Sequence, residues 1–575
     1  MPVHNEEIAR TFDEIADLLS LRDENPFRIR AYLRAAQTIR GQQRELADRV
    51  KAGEDLDSLP GIGADLAGKI AEIVTTGRCQ ALEKLRKQVP AGLAELLRIP
   101  GLGPKRVRAL SSGLKVRSRR DLERAIASGT LAKVSGFGPR MREKLAQELK
   151  LTPKQPARWL RSVAAQFAEP LAAYLRAVPG VDEVVIAGSY RRGRDTVGDI
   201  DILVSAEDAP AVAAALRRYD EIGSWSAEGT KRITVVLRSG LQVDVRITEA
   251  SAFGAALHYF TGSKAHNIHV RRLAQERKLK INEYGVFRGE RRIAGDTEES
   301  VFGSVGLPLI PAEMREDQGE IEVARAGKLP VLVTRADLRG DLHAHTDASD
   351  GQESLKSMAL AARAAGLAYL AITDHSQHLG VVHGLDENRL RRQMDAIDRL
   401  NGELKGITLL KGIEVDILES GDLALPDAVL AELDIVVAAI HGHFDLSERR
   451  QTSRVLRALD HRAVSVLAHP GARLIGARRP IALDFERILK AAEARPCFVE
   501  LNSQPERLDL DDAQSRLARE CGALVSIASD AHSGAQFEYL AGGIVQARRG
   551  WLTARDIANT RPLGELRRLL RATIR

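Results

Sequence analysis

The chain has 575 residues, 44% hydrophobic and 28% charged, with 85 Lys and Arg against 78 Asp and Glu, a net charge of +7 and a pI near 9.2. At roughly 100–200 residues per domain this predicts three to five domains. No apolar run approaches the roughly 20 residues of a membrane-spanning helix, and three scattered cysteines without a C-x-x-C argue against a disulfide framework or a zinc finger. The opening MPVHNEEIARTF has no signal pattern, so a cytoplasmic protein with no membrane partner is expected. The basic balance suits a polyanionic partner.

Residues 1 to about 150 read as helical, with apolar residues at helical spacing in IARTFDEIADLLSL and LAGKIAEIV. An internal repeat runs through them: Leu59-Pro-Gly-Ile-Gly63, Ile99-Pro-Gly-Leu-Gly103 and Val134-Ser-Gly-Phe-Gly138, each followed by a helical pattern. One copy would read as an ordinary joint between helices. Three copies read as a repeated backbone clamp on DNA. The glycines at 61 and 63, 101 and 103, 136 and 138 (Gly61, Gly63, Gly101, Gly103, Gly136, Gly138) permit positive φ and close approach. The helix that follows offers free N–H groups to a phosphate, which fixes register without reading bases.

From about 155 to 250, VDEVVIAG, DIDILV, ITVVL and LQVDVRI read as strands. Asp199 and Asp201 are two apart, so a strand sets both carboxylates on one face. Asp244 can join them from a neighbouring strand. Carboxylates gathered in this way suit Mg²⁺, or Mn²⁺, with substrate phosphates, and two such ions serve phosphoryl transfer. Ser189 and Arg192, in the preceding Gly188–Gly198 segment, are candidate triphosphate contacts. Residues 250–310 form a mixed unit around YFTGSKAHNIHVRRLAQ, and a proline- and charge-bearing connector follows.

From about 337 onward, β runs alternate with helical patterns, which predicts βα units around a parallel sheet or barrel. Ten of the 14 histidines lie between His343 and His532. His343 and His345 are two apart, where a strand would aim both at one face. With Asp350, His375, Glu414, His441, His469, Asp530 and His532 they make nine His/Asp/Glu, most directly after an apolar run. This mixture suits two or three Zn²⁺, Mn²⁺ or Fe²⁺ ions. His378, His383, His443 and His461 fall outside the set and are expected to be accessory.

These motifs carry a resemblance. The glycine repeats resemble the helix-hairpin-helix motifs of DNA repair proteins. Asn25-Pro-Phe-Arg-Ile-Arg-Ala-Tyr32 and Leu59–Gly63 resemble the N-terminal domain of family X DNA polymerases. By that resemblance Lys69 stands where the animal enzyme has a Schiff-base lysine, and Arg28 and Tyr32 line its phosphate pocket. Asp65 departs, replacing a phosphate-binding lysine, so Lys69 either performs lyase chemistry or only binds phosphate. Gly188-Ser followed by Asp199 and Asp201 alone resembles the wider nucleotidyltransferase superfamily. Tyr259-Phe-Thr-Gly-Ser263 with Asn267, Arg271 and Ile281-Asn-Glu-Tyr284 narrows this to family X. The resemblance implies that Tyr259, Phe260 and Gly262 meet the incoming sugar, and that Asn267 and Arg271 reach the minor-groove side of the new pair. Lys264 departs from an acid; it either binds the nucleotide or is an exposed loop cation. The histidine-rich region resembles the PHP domain, with all nine ligand positions filled.

The order of parts resembles bacterial family X polymerases with a C-terminal PHP domain. The expected fold is multidomain α/β: a helical helix-hairpin-helix region, a mixed α/β nucleotidyltransferase core and a distorted (β/α)7-type PHP barrel. The expected domains are 1–85 (lyase-like), 86–154 (helix-hairpin-helix), 155–250 (palm), 251–315 (nascent base pair), 316–336 (linker) and 337–575 (PHP). The resemblance implies gap filling in base excision repair or end joining on gapped or primed duplex DNA with dNTPs. It also implies a monomer whose PHP domain acts as a 3′→5′ exonuclease and cuts at abasic sites. The alternatives are a PHP domain that is a phosphatase or a structural metal site, and a non-catalytic DNA-binding scaffold, against which the intact acid triad speaks.

Overall fold

The computed structural model describes residues 3 and 5–145, with gaps at 41, 43–44, 60, 98, 100–101, 135–136, 139–140 and 143–144, and residues 158–573, with gaps at 230, 379–381 and 496. Gly101 and Gly136 of the glycine repeats lie outside the described residues. The chain forms two compact units, residues 1–157 with 476–478, and residues 158–475 with 479–575. Among the described residues no helix is long and apolar enough to cross a membrane.

The first unit is helical. The helix Asn5–Leu21 presents Ile8, Phe12, Ile15 and Leu19 along one side, and these fully buried residues pack with Tyr32, Ala35 and Ile39 of the helix Pro26–Arg40. Phe12 and Tyr32 meet edge-on at 5.5 Å between ring centroids. The three repeats share one backbone turn. The N–H of Ile62 donates to the Leu59 carbonyl at 3.0 Å, that of Leu102 to Ile99 at 2.9 Å, and that of Phe137 to Val134 at 3.3 Å. Ile62, Leu102 and Phe137 are each 2% exposed, so each turn is pinned by an apolar residue in the core.

The second unit begins with a two-residue strand β1 (Trp159–Leu160), which pairs with β3 (Thr196–Val197). Beside it, β2 (Val181–Ile186), β4 (Asp199–Ala206), β5 (Ile222–Glu228), β6 (Arg232–Leu237) and β7 (Gln242–Thr248) form a five-stranded sheet in the order β2-β4-β7-β6-β5. From Ile202 to Ala206 every position of β4 is buried, as are Val243, Asp244 and Val245 of β7, as expected for the middle of a sheet. The β4–β7 pairing is parallel and sets Asp201 beside Asp244. A helical subdomain follows, with Phe253–Thr261, Lys264–Glu276 and Glu298–Ser304 around a small antiparallel sheet of β8 (Lys280–Asn282), β9 (Gly285–Arg288) and β10 (Arg291–Ala294). The stretch 316–336, expected as a linker, instead contains the helix Glu320–Arg325, whose Ile321 and Ala324 are buried in this subdomain's core. Its charges and proline look like a connector in sequence, and Val331 is indeed exposed, but Ile321, Ala324 and Leu332 pack.

The C-terminal part is a parallel sheet of seven strands in chain order: β11 (Gly340–Asp341), β12 (Tyr369–Ile372), β13 (Thr408–Asp416), β14 (Ile435–Ala439), β15 (Val466–Leu467), β16 (Phe498–Asn502) and β17 (Val525–Ala528). A parallel bridge between Ala344 and Ala531 brings the first and last segments together, nearly closing a barrel. Helices between successive strands cover its outside, as parallel strands require. The alternation predicts βα units around a parallel sheet or barrel, and this nearly closed barrel is the distorted (β/α)7 type that the resemblance implies.

Candidate functional site

Two clusters in the second unit carry chemistry. The first sits at the start of β4 and β7. Asp199 and Asp201 lie on one face of β4, and Asp244 is the register partner of Asp201 on β7, so the structure brings the predicted triad together. Burial, with Asp199 and then Asp244 close by, pushes the Asp201 carboxyl up to about 7. Asp244 is 5% exposed and accepts hydrogen bonds from the Thr234 hydroxyl and from Arg232 Nη2 at 3.2 and 3.3 Å. No motif marks Arg232 and Thr234, because their role depends on the β6–β7 pairing that sets Thr234 opposite Asp244.

Gly188 explains its own place in the motif. Its φ is +61°, and a Cβ added there would lie 2.4 Å from Asp201 Oδ2. Only glycine lets the chain turn this close to the carboxylate. Residues 188–191 form one helical turn, which carries Ser189 and leads into Arg192. Arg192 Nη1 donates to the Thr261 carbonyl at 2.5 Å, and its Nε donates to Glu316 Oε1 at 3.1 Å. Its Nη1 would lie 3.1 Å from a Cβ on Gly262 (φ +70°), so the predicted triphosphate and sugar positions are neighbours. Gly198 precedes β4 beside the Arg158 guanidinium.

Across the site, Tyr259 is 36% exposed and its ring meets that of Phe260 edge-on at 5.1 Å. Arg246 of β7 lies 4.6 Å over the Phe260 ring. Asn267 is buried and donates to the Tyr259 carbonyl at 2.8 Å, and Arg271 Nε donates to the Asn267 carbonyl at 3.2 Å. Lys264 is exposed at the first turn of a helix that Ser263 caps through its hydroxyl. Arg191, unremarked in the sequence, ties the two subdomains. It donates to the Thr261 hydroxyl at 2.7 Å and forms two bonds to Glu298, at 2.9 and 2.6 Å. Burial alone would raise the Glu298 carboxyl, but Arg191 and Arg315 hold it down at about 2.

The second cluster lies at the C-terminal ends of the barrel strands, and all nine predicted ligands converge there. His343 and His345 are not in a strand; β11 ends at Asp341 and the two histidines follow in an irregular segment. Their convergence comes from that segment's bonds to neighbours, such as Ala344 N–H to the Thr373 hydroxyl. Three groups each bring ligand atoms within 4.8 Å of one another: His345, Asp350, His375 and His532; His343, His345 and Asp530; His375, Glu414 and His441. His469 joins through Glu414, with Nε2 3.1 Å from Oε1. His343 Nε2, both nitrogens of His345 and Glu414 Oε2 are buried without a hydrogen bond. Buried polar atoms in such numbers are costly unless something absent from the protein atoms satisfies them, and imidazoles with carboxylates fit bound metal ions. Burial alone would lower His343 and His375, but the surrounding carboxylates hold both well above the usual imidazole range. Glu414 and Asp530 are held well below the carboxylate range by the imidazoles, against the effect of burial.

A shell of acids orients these ligands. Glu500 accepts from His343 Nδ1 at 3.1 and 3.2 Å and from the His469 backbone N–H at 3.0 Å. Asp416 is 3.0 Å from His441 Nδ1. Asn502 donates to both Glu500 and Asp530. Sequence reasoning missed all three. The signal was available for Asp416, two positions after Glu414 on a strand, and for Asn502, two after Glu500.

In the first unit, a cavity of about 650 Å³ is lined by Arg22, Arg28, Asp65, Lys69 and Lys84, among others. Lys69 Nζ is 2.5 Å from Asp65 Oδ1 and 5.9 Å from the Tyr32 ring centroid. Tyr32, expected to line this pocket, is 2% exposed and packs beneath it. In the repeats, Gly61 has φ +73°, but Gly63 and Gly103 do not have positive φ. They are the caps before the next helix, and at Gly63, Gly103 and Gly138 an added Cβ would meet nothing within 4 Å. The second glycine therefore opens space at a helix start.

Comparison with known proteins agrees part by part. Residues 3–79 match the helix-hairpin-helix domain family, 93–151 the SAM-like helix-hairpin-helix tandem, 160–236 the DNA polymerase beta palm, 256–316 the DNA polymerase beta thumb and 341–503 the PHP domain. The chain is 36% identical to the DNA polymerase/3′-5′ exonuclease PolX of Bacillus subtilis (strain 168), over 99% of this chain and 100% of that protein. It is 25% identical to DNA polymerase lambda of Arabidopsis thaliana over 46% of this chain and 54% of the relative. A probable phosphatase of Thermoanaerobacter sp. (strain X514) is 30% identical over 33% of this chain and 78% of its own length.

Proposed function

The chain belongs to the bacterial family X DNA polymerases that carry a C-terminal PHP domain, and from that premise we propose that it fills short gaps in duplex DNA during repair and removes nucleotides from 3′ ends at its histidine-rich site. The observation that carries the polymerase half is the register pairing of Asp201 with Asp244 beside the glycine turn at 188.

Two Mg²⁺ or Mn²⁺ ions supply activation of the primer 3′-oxygen and neutralisation of the triphosphate when bound. Asp199 and Asp201 would hold both ions, and Asp244 the one at the primer end. Ser189 and Arg192 bind the triphosphate. Gly262 leaves room for the sugar beside Tyr259 and Phe260. Asn267 and Arg271 face the new pair, and Lys264 reaches the nucleotide from its exposed helix start. The glycine turns at 61–63, 101–103 and 136–138 grip the DNA backbone, and Arg28 and Lys69 bind a 5′-phosphate in the basic cavity.

At the C-terminal site, Zn²⁺, Mn²⁺ or Fe²⁺ ions supply a hydroxide near neutral pH and a clamp on the phosphoester when bound. His343, His345, Asp350, His375, Glu414, His441, His469, Asp530 and His532 would hold them, with Glu500 and Asp416 orienting the His343 and His441 imidazoles. The likeness of this third of the chain to a probable phosphatase favours a second reading, in which the site removes phosphate groups. The test offers the protein two substrates, a gapped duplex with a 3′-hydroxyl primer and the same duplex with a 3′-phosphate. Mononucleotide release from the hydroxyl end supports the nuclease. Release of inorganic phosphate alone supports the phosphatase.

A further inference from the structure

The segment expected to grip the triphosphate is seated on the C-terminal domain. Gly193, next to Arg192, has φ +69°, and a Cβ added there would lie 2.2 Å from Val545 Cγ1. Val545 belongs to the helix Leu540–Arg549, which packs outside β17. That helix ends in two arginines that both reach into the polymerase half. Arg548 Nε donates to Glu313 at 2.7 Å. Arg549, 2% exposed at its side chain, does something more specific. Its Nη1 donates to the Arg192 backbone carbonyl at 2.7 Å and to Glu316 Oε1 at 3.2 Å, while Nη2 bonds Asp512.

Glu316 is the common partner. The oxygen that accepts from Arg549 also accepts from Arg192 Nε at 3.1 Å. With Nη1 held by the Thr261 carbonyl, the Arg192 guanidinium is fixed through two of its three nitrogens, and neither bond uses Nη2. A forked cation already oriented loses less freedom when it binds an anion. Without Arg549, Glu316 would keep one cation partner fewer, and the Arg192 carbonyl would lose its donor.

We propose that Arg549 of the C-terminal domain is a positioning residue for the polymerase site, holding Arg192 for the incoming triphosphate through Glu316 and the Arg192 carbonyl. This rests on the polymerase reading above. Arg549 itself does not touch the nucleotide.

Single-nucleotide gap filling by the full chain tests it, with KM for the dNTP and kcat measured separately and 3′ degradation followed on the same preparation. Arg549→Ala is expected to raise KM about tenfold, the scale seen when a partner that orients a ligand-binding group is removed, with kcat changed less and 3′ degradation retained. Arg549→Lys restores part of the loss. The isosteric Glu316→Gln raises KM in the same direction, and adding Arg549→Ala to it costs less than Arg549→Ala does alone. Arg548→Ala, which loosens the same contact without touching Arg192, leaves KM near wild type. A wild-type KM in Arg549→Ala, or an equal rise in Arg548→Ala, overturns the proposal. A wild type that extends no primer overturns the polymerase reading as well.

Discussion

Asp201 and Asp244 are direct register partners on two parallel strands, and the burial of Asp201, with Asp199 and then Asp244 beside it, makes the site sensitive to pH. The metal-free protein keeps a proton on Asp201 up to about pH 7, whereas the unfolded chain loses it near 3.8. The folded state therefore binds more protons between those values. On this group, metal-free stability is highest at low pH and falls as pH rises from about 4 to 7, by on the order of 4 kcal/mol. Bound Mg²⁺ removes that penalty. The Mg²⁺-induced rise in Tm is expected to grow between pH 6 and pH 8, and to lose this dependence in Asp201→Asn. Equal Mg²⁺ stabilisation at both pH values would contradict the shared-site assignment.

Gly188→Ala places a methyl 2.4 Å from Asp201 Oδ2 at a positive φ. The Ala187 N–H donates to the Asp201 carbonyl at 2.7 Å and holds this turn against β4, so the carboxylate itself must shift. Primer extension should fall at least 100-fold, the order seen when a catalytic group is displaced by an ångström. Degradation of 3′ ends should stay near wild type. An extension rate within threefold of wild type would mean that this turn does not set the carboxylate.

Glu500 makes its contacts through His343 Nδ1 and the His469 backbone, so its substitution should act on metal retention. Glu500→Ala is expected to weaken metal affinity about 10–100-fold, read as metal content after dialysis by elemental analysis. Polymerase activity should be unchanged. Full metal content in Glu500→Ala would show that the carboxylate is dispensable for orienting the ligand.

Lys69 is paired with Asp65 at 2.5 Å in the basic cavity. Binding of a 5′-phosphate must compete with that pair. Asp65→Ala is expected to tighten binding of 5′-phosphorylated gaps severalfold. Borohydride reduction with an abasic 5′ end should give an adduct with the wild type and none with Lys69→Ala if lyase chemistry operates. An Asp65→Ala protein that binds phosphorylated gaps no better would remove Lys69 from the phosphate site.

The ligand groups were legible in sequence because their spacing is local. Asp199 and Asp201 declare a face by alternation, and the histidines follow apolar runs that fold as barrel strands. Residues whose partners are distant in sequence were not legible. Arg232 and Thr234 meet Asp244 only through the β6–β7 register. Arg549 meets Arg192 across 357 positions. The 316–336 stretch reads as a connector because its charges and proline dominate the sequence, although Ile321, Ala324, Leu332 and Val333 are buried and Val331 stands far out in solvent. His343 and His345 converge without the strand that their spacing predicted, since side-chain bonds to the loop serve instead.

We propose that one chain holds two independent metal sites, an all-carboxylate site for synthesis and a histidine-rich site for degradation. A gapped-primer assay on wild type, Asp201→Ala and His343→Ala tests it most directly. Asp201→Ala should lose extension and keep 3′ degradation, and His343→Ala should do the reverse. Normal extension by Asp201→Ala, or undiminished degradation by His343→Ala, would contradict it.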